Sequence, residues 1–225
     1  MSTHITIDFV SDVSCPWCAI GLGELERALE GLKGEVAASI HFQPFELNPG
    51  MPPGGQDITE HLTQKYGSSA QAQARFREQI RERGQGVGFE FRQQGRSRIW
   101  NTFDAHRLLH WAAEEGRPEG EDGAPGQQRL LKKALFRAYF TRDESPESHE
   151  VLLRAVAEAG LDEARARAIL AGDEYAAEVR EREAFYLEQD IHSVPAIIVG
   201  GRHLIPGAQT ADVFERVLRK LASKS

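Results

Sequence analysis

Apolar positions alternate at the start of the chain, at Ile5, Ile7 and Phe9, a period that predicts a half-buried strand over 4–10. The period then changes. Cys18, Leu22, Leu25, Leu29 and Leu32 recur at intervals of three and four, as on one face of a helix, and Gly31, Lys33 and Gly34 supply its stop. A second strand is expected over 36–45, with Ile40 and Phe42 on one face. Strand, helix and strand with short connections predict a right-handed βαβ unit with parallel strands. The run Asn48-Pro49-Gly50-Met51-Pro52-Pro53-Gly54-Gly55 is dense in breakers and marks a boundary.

From 56 to 189 the pattern is helical. Ile58, Leu62 and Tyr66 mark a short helix; Ser68 or Ser69 caps the next, which carries Phe76 and Ile80. Gly84, Gly86 and Gly88 end that helix before a short extended piece over 87–91. Positions 100–113 form an amphipathic helix with a broad apolar face that includes Phe103, Leu108 and Trp111. Gly116 to Gly126 reads as a solvent loop, and helices are expected again over 130–140, 148–159, 162–170 and 173–188. Strand character returns at 194–199, Gly200-Gly201 signals a two-residue hairpin, His203 to Ile205 answers it, and a helix over 211–221 closes the chain. The order is β-α-β, a helical insertion, then β-β-α. It assigns 1–55 and 190–225 to an α/β domain of thioredoxin-like connectivity and 56–189 to an inserted all-helical domain.

Charge and composition narrow the function classes. A formal charge of −7 over 225 residues argues against nucleic acid or an anionic membrane as partner. No apolar run reaches the length of a membrane-spanning helix. Met1 to His4 leads straight into the first strand without a basic and apolar leader, so a cytoplasmic location is expected. A reducing compartment favours catalytic or redox-sensing cysteines over structural disulfides.

The chain has two cysteines, Cys15 and Cys18, placed where the first strand ends and the first helix begins. Unpaired N–H groups and the helix dipole at such a terminus favour a thiolate at Cys15, and Pro16 suits the first turn because its missing N–H is not needed there. A fall in pKa from about 8.5 to about 6.5 raises the thiolate fraction at pH 7 from about 3% to about 75%. Lower intrinsic nucleophilicity takes back roughly eightfold, so the larger gain is a better leaving group. Cys15 is expected at the exposed helix tip as the attacking thiol; Cys18, on the face of Leu22 and Leu25, is expected to resolve the mixed disulfide. Two other readings stay open: a Cys₂His₂ zinc site completed by His106 and His110, and a chance pairing. Asp8 and Asp12 are candidates for proton movement or for ordinary solvated carboxylates.

Ser11-Asp12-Val13-Ser14-Cys15-Pro16-Trp17-Cys18-Ala19-Ile20-Gly21 resembles the active-site signature of the DsbA-like FrnE family. So do Pro44-Phe45-Glu46-Leu47-Asn48-Pro49, Asn101 to Leu108, Leu135 to Phe140, and Gly207-Ala208-Gln209, blocks that span nearly the whole chain. The chain departs from the family before Pro195, where Asp190-Ile191-His192-Ser193-Val194 replaces a glycine-rich run. The resemblance implies a thioredoxin-like fold with a large helical insertion and thiol–disulfide oxidoreductase or isomerase activity, without a metal or other cofactor. It implies a cis Val194–Pro195 bond facing the dithiol, so that the backbone of Val194 can pair with a bound peptide. Pro16, Trp17, Val194, Pro195 and His106 are the expected substrate contacts. The expected partners are protein or small-molecule thiols and disulfides, with glutathione kept open. The alternatives are a glutathione-dependent isomerase or kappa-class-like transferase, whose members carry serine where Cys15 stands, and a non-catalytic chaperone or zinc-binding module.

Overall fold

The computed structural model describes residues 2–120 and 124–223. β1 (Thr3–Ser11), α1 (Pro16–Gly31) and β2 (Val36–Pro44) form the expected unit, with β1 and β2 parallel from Thr3 opposite Val36 to Ser11 opposite Pro44. Ile5, Ile7 and Phe9 are buried beneath α1, which turns Cys18, Leu22 and Leu25 onto them. The chain then passes through β3 (Gln56–Asp57), α2 (Ile58–Tyr66), α3 (Ala70–Gly86), β4 (Arg98–Ile99), α4 (Phe103–Glu114) and α5 (Gln127–Phe136). A π-helical segment, Arg137–Thr141, continues α5, and α6 (His149–Glu158), α7 (Glu163–Ala171) and α8 (Ala176–Glu188) follow. β5 (Ala196–Val199), β6 (His203–Pro206) and α9 (Ala211–Ala222) complete the fold. The main sheet has the order β2-β1-β5-β6, with β5 antiparallel to both of its neighbours. Gly200, Gly201 and Arg202 join β5 to β6, so the expected two-residue hairpin is a three-residue one, and Gly200 and Gly201 take the left-handed φ of 60° and 69° that the turn requires. No helix among the described residues is long and apolar enough to cross a membrane.

Local differences from the sequence expectation have specific causes. Residues 87–91 form no strand: Gly88 turns the chain at φ 70°, and Phe89 and Phe91 then stack on each other and on Phe140. The helix expected from 100 begins at Phe103, after Thr102 has directed its hydroxyl to Asp12. The β3–β4 ladder is two residues long on each side, too short to leave an alternating pattern. The expected loop over 116–126 holds no helix or strand in its described part; 121–123 lie outside the described residues.

Two cores meet at the site. The first lies between the sheet and α1, and contains both cysteines together with Phe136, Tyr139 and Phe140 from the end of the α5 rod. The second is built by α4 to α7 around Leu108, Trp111, Leu131, Leu152 and Ile169. Val13, in the turn before the dithiol, belongs to this second core, so that turn is held from the helical side. Gln128 of α5 completes the joint: it accepts from the Phe42 N–H and donates to the Phe42 carbonyl, both at 2.9 Å. It thereby covers backbone groups on the open edge of β2, which would otherwise be free to pair with another chain.

Candidate active site

Cys15 is the N-cap residue of α1, with extended backbone, and Pro16 occupies the first turn. The expectation of an exposed thiol needs correction. Cys15 is 4% exposed, because the segment before β5 lies over the helix tip and its thiol donates to the Val194 carbonyl at 3.5 Å. Val194–Pro195 is cis. The approach is close enough to specify a glycine on α1: a Cβ at Gly21 would sit 3.2 Å from Pro195 Cγ and 3.4 Å from Ala208 Cβ. Cys18, one turn further on, is fully buried, and both cysteines are free thiols.

The two sulfurs are driven in opposite directions. Hydrogen bonding from the Cys18 thiol is the largest influence on Cys15 and lowers its pKa; burial opposes it, the Cys18 N–H and the Arg96 charge assist, and Asp12 opposes. Cys18 is pushed well up, first by burial and then by its hydrogen bond to Cys15 and the charge of that neighbour. A dithiol arranged this way ionises at the helix tip and keeps its second proton.

Asp12 organises the turn. It is fully buried and accepts from the Ser14 N–H at 3.1 Å, the Ser14 hydroxyl at 2.7 Å, the Leu47 N–H at 2.7 Å and the Thr102 hydroxyl at 2.9 Å. His106 Nε2 lies 3.4 Å from the same carboxylate. Burial alone would raise the Asp12 pKa, but bonding to His106 and its charge, with the Leu47 and Ser14 donors, hold it well below the usual carboxylate range. His106 therefore does not meet the expectation of a substrate contact. It is 2% exposed, and α4 turns its ring inward to Asp12.

Pro16 also borders a groove whose apolar wall includes Phe76, Ile80, Phe91 and Phe140, with Arg77, Arg92 and Arg96 at its margin. Trp17 stands beside it, its ring edge-on to the half-exposed Phe76 at 6.0 Å and under Arg83 at 5.8 Å. The accessible volume is about 60 Å³. The structure thus gathers Cys15, Cys18, Pro16, Trp17, Val194 and Pro195 at one place and leaves His106 behind it.

Two charged residues escape sequence reasoning. Arg96 lies in a stretch, 75–98, that reads as a solvated face because its arginines alternate with acids. In the structure its guanidinium lies over the rings of Tyr139 and Phe140, at 5.4 and 5.5 Å, and donates to the Ser14 carbonyl beside the dithiol. Lys132 is fully buried on α5. Its signal was present in the spacing: Gln128, Lys132, Phe136 and Tyr139 are four, four and three apart, so the lysine falls on an inward-facing stripe.

Known proteins are similar to this chain over nearly its whole length. A crystal structure of a protein described as a probable DsbA oxidoreductase from Streptomyces coelicolor is 31% identical, covers 99% of this chain and 92% of its own, and superposes with a TM-score of 0.82. The Bacillus subtilis (strain 168) protein YwbO, described as uncharacterised, is 28% identical over 221 residues, 97% of this chain and 96% of its own. The cytosolic disulfide reductase DsbM from Pseudomonas aeruginosa, solved with GSH, shares the fold at 15% identity and a TM-score of 0.62, over 97% of this chain and 99% of its own. The model of the DSBA-like thioredoxin domain matches residues 6–219. With the inserted helices, the cysteine pair and all of the sheet but the first residues of β1 inside that span, the chain belongs to the DSBA-like thioredoxin domain family and is a thiol–disulfide oxidoreductase.

Proposed function

We propose that Cys15 and Cys18 are the redox dithiol of this enzyme and that its substrates are disulfides or thiols carried by extended polypeptide. The observation that carries the reading is the placement of two free thiols one turn apart at one helix start, with Cys15 against the Val194 carbonyl. Cys15 attacks as the thiolate; one client sulfur leaves as a thiolate and a mixed disulfide forms. Cys18 then loses its proton and attacks Cys15 Sγ, closing the Cys15–Cys18 bond and releasing the second client sulfur. The client gains two electrons and the dithiol loses two; run backwards, the same steps oxidise a client. A small thiol or disulfide of the glutathione class resets the dithiol.

The substrate class is argued from size and polarity. Enclosed small-molecule sites run to about 300–1,000 Å³, whereas the groove at Pro16 has about 60 Å³. That is room for one side chain at a time. Its apolar wall, with Phe76 half exposed at the edge, suits an apolar residue flanking a client cysteine. In this proposal Pro16 and Trp17 border the client, the backbone of Val194 beside Pro195 pairs with it, and His106 supports Asp12 without touching it. We take the enzyme to act in the cytoplasm, since its two cysteines form one pair and leave none over for a structural disulfide.

Competition tests the substrate class. Turnover of a small disulfide should be inhibited saturably by a reduced, unfolded protein and only weakly by glutathione. Tight, saturable glutathione binding with no competition from unfolded chain would overturn it in favour of a glutathione-dependent isomerase or transferase.

A further inference from the structure

The groove at Pro16 carries a charge signature that its apolar wall does not explain. Among the described residues that line it, three are arginines, Arg77, Arg92 and Arg96, and none is an acid. The chain as a whole has a formal charge of −7, yet the span 70–98, which supplies most of this lining, holds seven arginines against three glutamates. An anion is therefore repelled by the molecule at large and attracted here.

Two of the three arginines are already engaged. Arg92 pairs with Asp143 at 2.6 Å, and Arg96 donates to the Ser14 carbonyl with its guanidinium over Tyr139 and Phe140. Arg77 differs from both. It is exposed on α3, and no hydrogen bond, ion pair or ring contact among the described residues takes up its guanidinium. Its stem is nevertheless packed. It crosses Gly95, where a Cβ would stand 2.8 Å from Arg77 Cδ, and Gly95 has a left-handed φ of 74° that favours glycine. The stem is thus laid along the groove's margin while the five donors of its head remain unspent.

We propose that Arg77 selects clients that carry an acidic side chain close to the apolar residue entering the groove; this rests on the groove being the seat of an extended client. Pro16 joins the groove to the dithiol turn, so a client whose cysteine stands at Cys15 lays its neighbouring residues along this wall. The client carboxylate accepts two parallel hydrogen bonds from the guanidinium fork, while its apolar neighbour covers Phe76 and Phe91. A basic client residue in the same place meets an unpaired like charge and is disfavoured. The enzyme then reads two features of an unfolded segment, one apolar and one acidic.

The test is a competition for Cys15 in the Cys18→Ser protein, which cannot resolve its adducts. Two peptides are offered together in equal amounts, each with its cysteine as the mixed disulfide with 2-mercaptoethanol. They share an apolar residue and differ at one place, glutamate against glutamine, and that place is moved along the positions on either side of the cysteine. Enzyme–peptide adducts are counted by mass spectrometry; since both peptides compete for the same protein, any loss of folded protein cancels. The glutamate peptide should be favoured about two- to fivefold at one position, the range an exposed ion pair supplies, and the preference should shrink as salt rises. In the same background R77K should keep the preference, R77Q should remove it, and R77E should turn it towards a lysine peptide. Adducts without a preference for glutamate at any position, or a preference that R77E leaves in place, would overturn the proposal and leave the polypeptide reading standing. Failure of every peptide to form adducts, while glutathione disulfide forms them readily, would overturn both.

Discussion

Two residues separate Cys15 from Cys18, yet the two cysteines belong to different electrostatic environments. The first sits where α1 leaves its N–H groups unpaired, with Arg96 at the Ser14 carbonyl; the second is one turn inside an apolar core. Arg96 lowers the Cys15 pKa, so removing its charge must raise it. Arg96→Met should therefore shift the pH midpoint of Cys15 alkylation upwards and slow alkylation about three- to tenfold at a pH below that midpoint. A midpoint that stays or falls would show that the arginine only braces the turn. Of this arrangement, the sequence discloses the cysteines and the helix start. It conceals Arg96, because an arginine among acids looks like solvated surface until its aromatic partners, Tyr139 and Phe140, are folded beneath it.

Secondary structure elements were legible where the periodic face is long and buried on one side. β1 and α1 declare themselves this way, whereas α3, with only Gln73, Ile80 and Gly84 buried, is marked by its Ser69 cap, which accepts from the Ala72 N–H. Boundaries failed where a side chain had a tertiary task, as with Thr102, or where aromatic packing replaced a ladder, as at Phe89 and Phe91. The end of α3 shows how tightly that aromatic cluster is fitted. A Cβ at Gly84 would stand 2.4 Å from Phe91 Cδ2 and 2.8 Å from the Phe89 carbonyl oxygen. Alanine gains about 1 kcal/mol in helix propensity, but displacing Phe91 from Phe140 costs about 1–3 kcal/mol. Gly84→Ala should therefore lower the denaturant midpoint with the m-value unchanged, and should weaken client binding, since Phe91 lines the groove. A stabilised G84A would mean that the cluster has slack.

At the scale of the whole molecule, the dithiol turn lies between two cores and is fixed by both. Val13 is anchored among α4 to α7, and Cys15 and Cys18 lie against the sheet. We propose that 1–55 with 190–225 and 56–189 are distinct domains, divided at the breaker run and at the Asp190 turn. Their contact was invisible in the sequence because it depends on groups more than eighty residues apart: Gln128 on the backbone of Phe42, Thr102 on Asp12, Arg96 on Ser14. The inserted helices therefore shape the thiol chemistry as well as the groove. The central claim, that Cys15 attacks and Cys18 resolves, is tested most directly by trapping. Cys18→Ser and Cys15→Ser proteins are each incubated with a disulfide-bearing client, and adducts are mapped by mass spectrometry. The account predicts mixed disulfides through Cys15 accumulating in the Cys18→Ser protein and almost none in its counterpart; adducts through Cys18 in the Cys15→Ser protein, at a comparable rate, would contradict it.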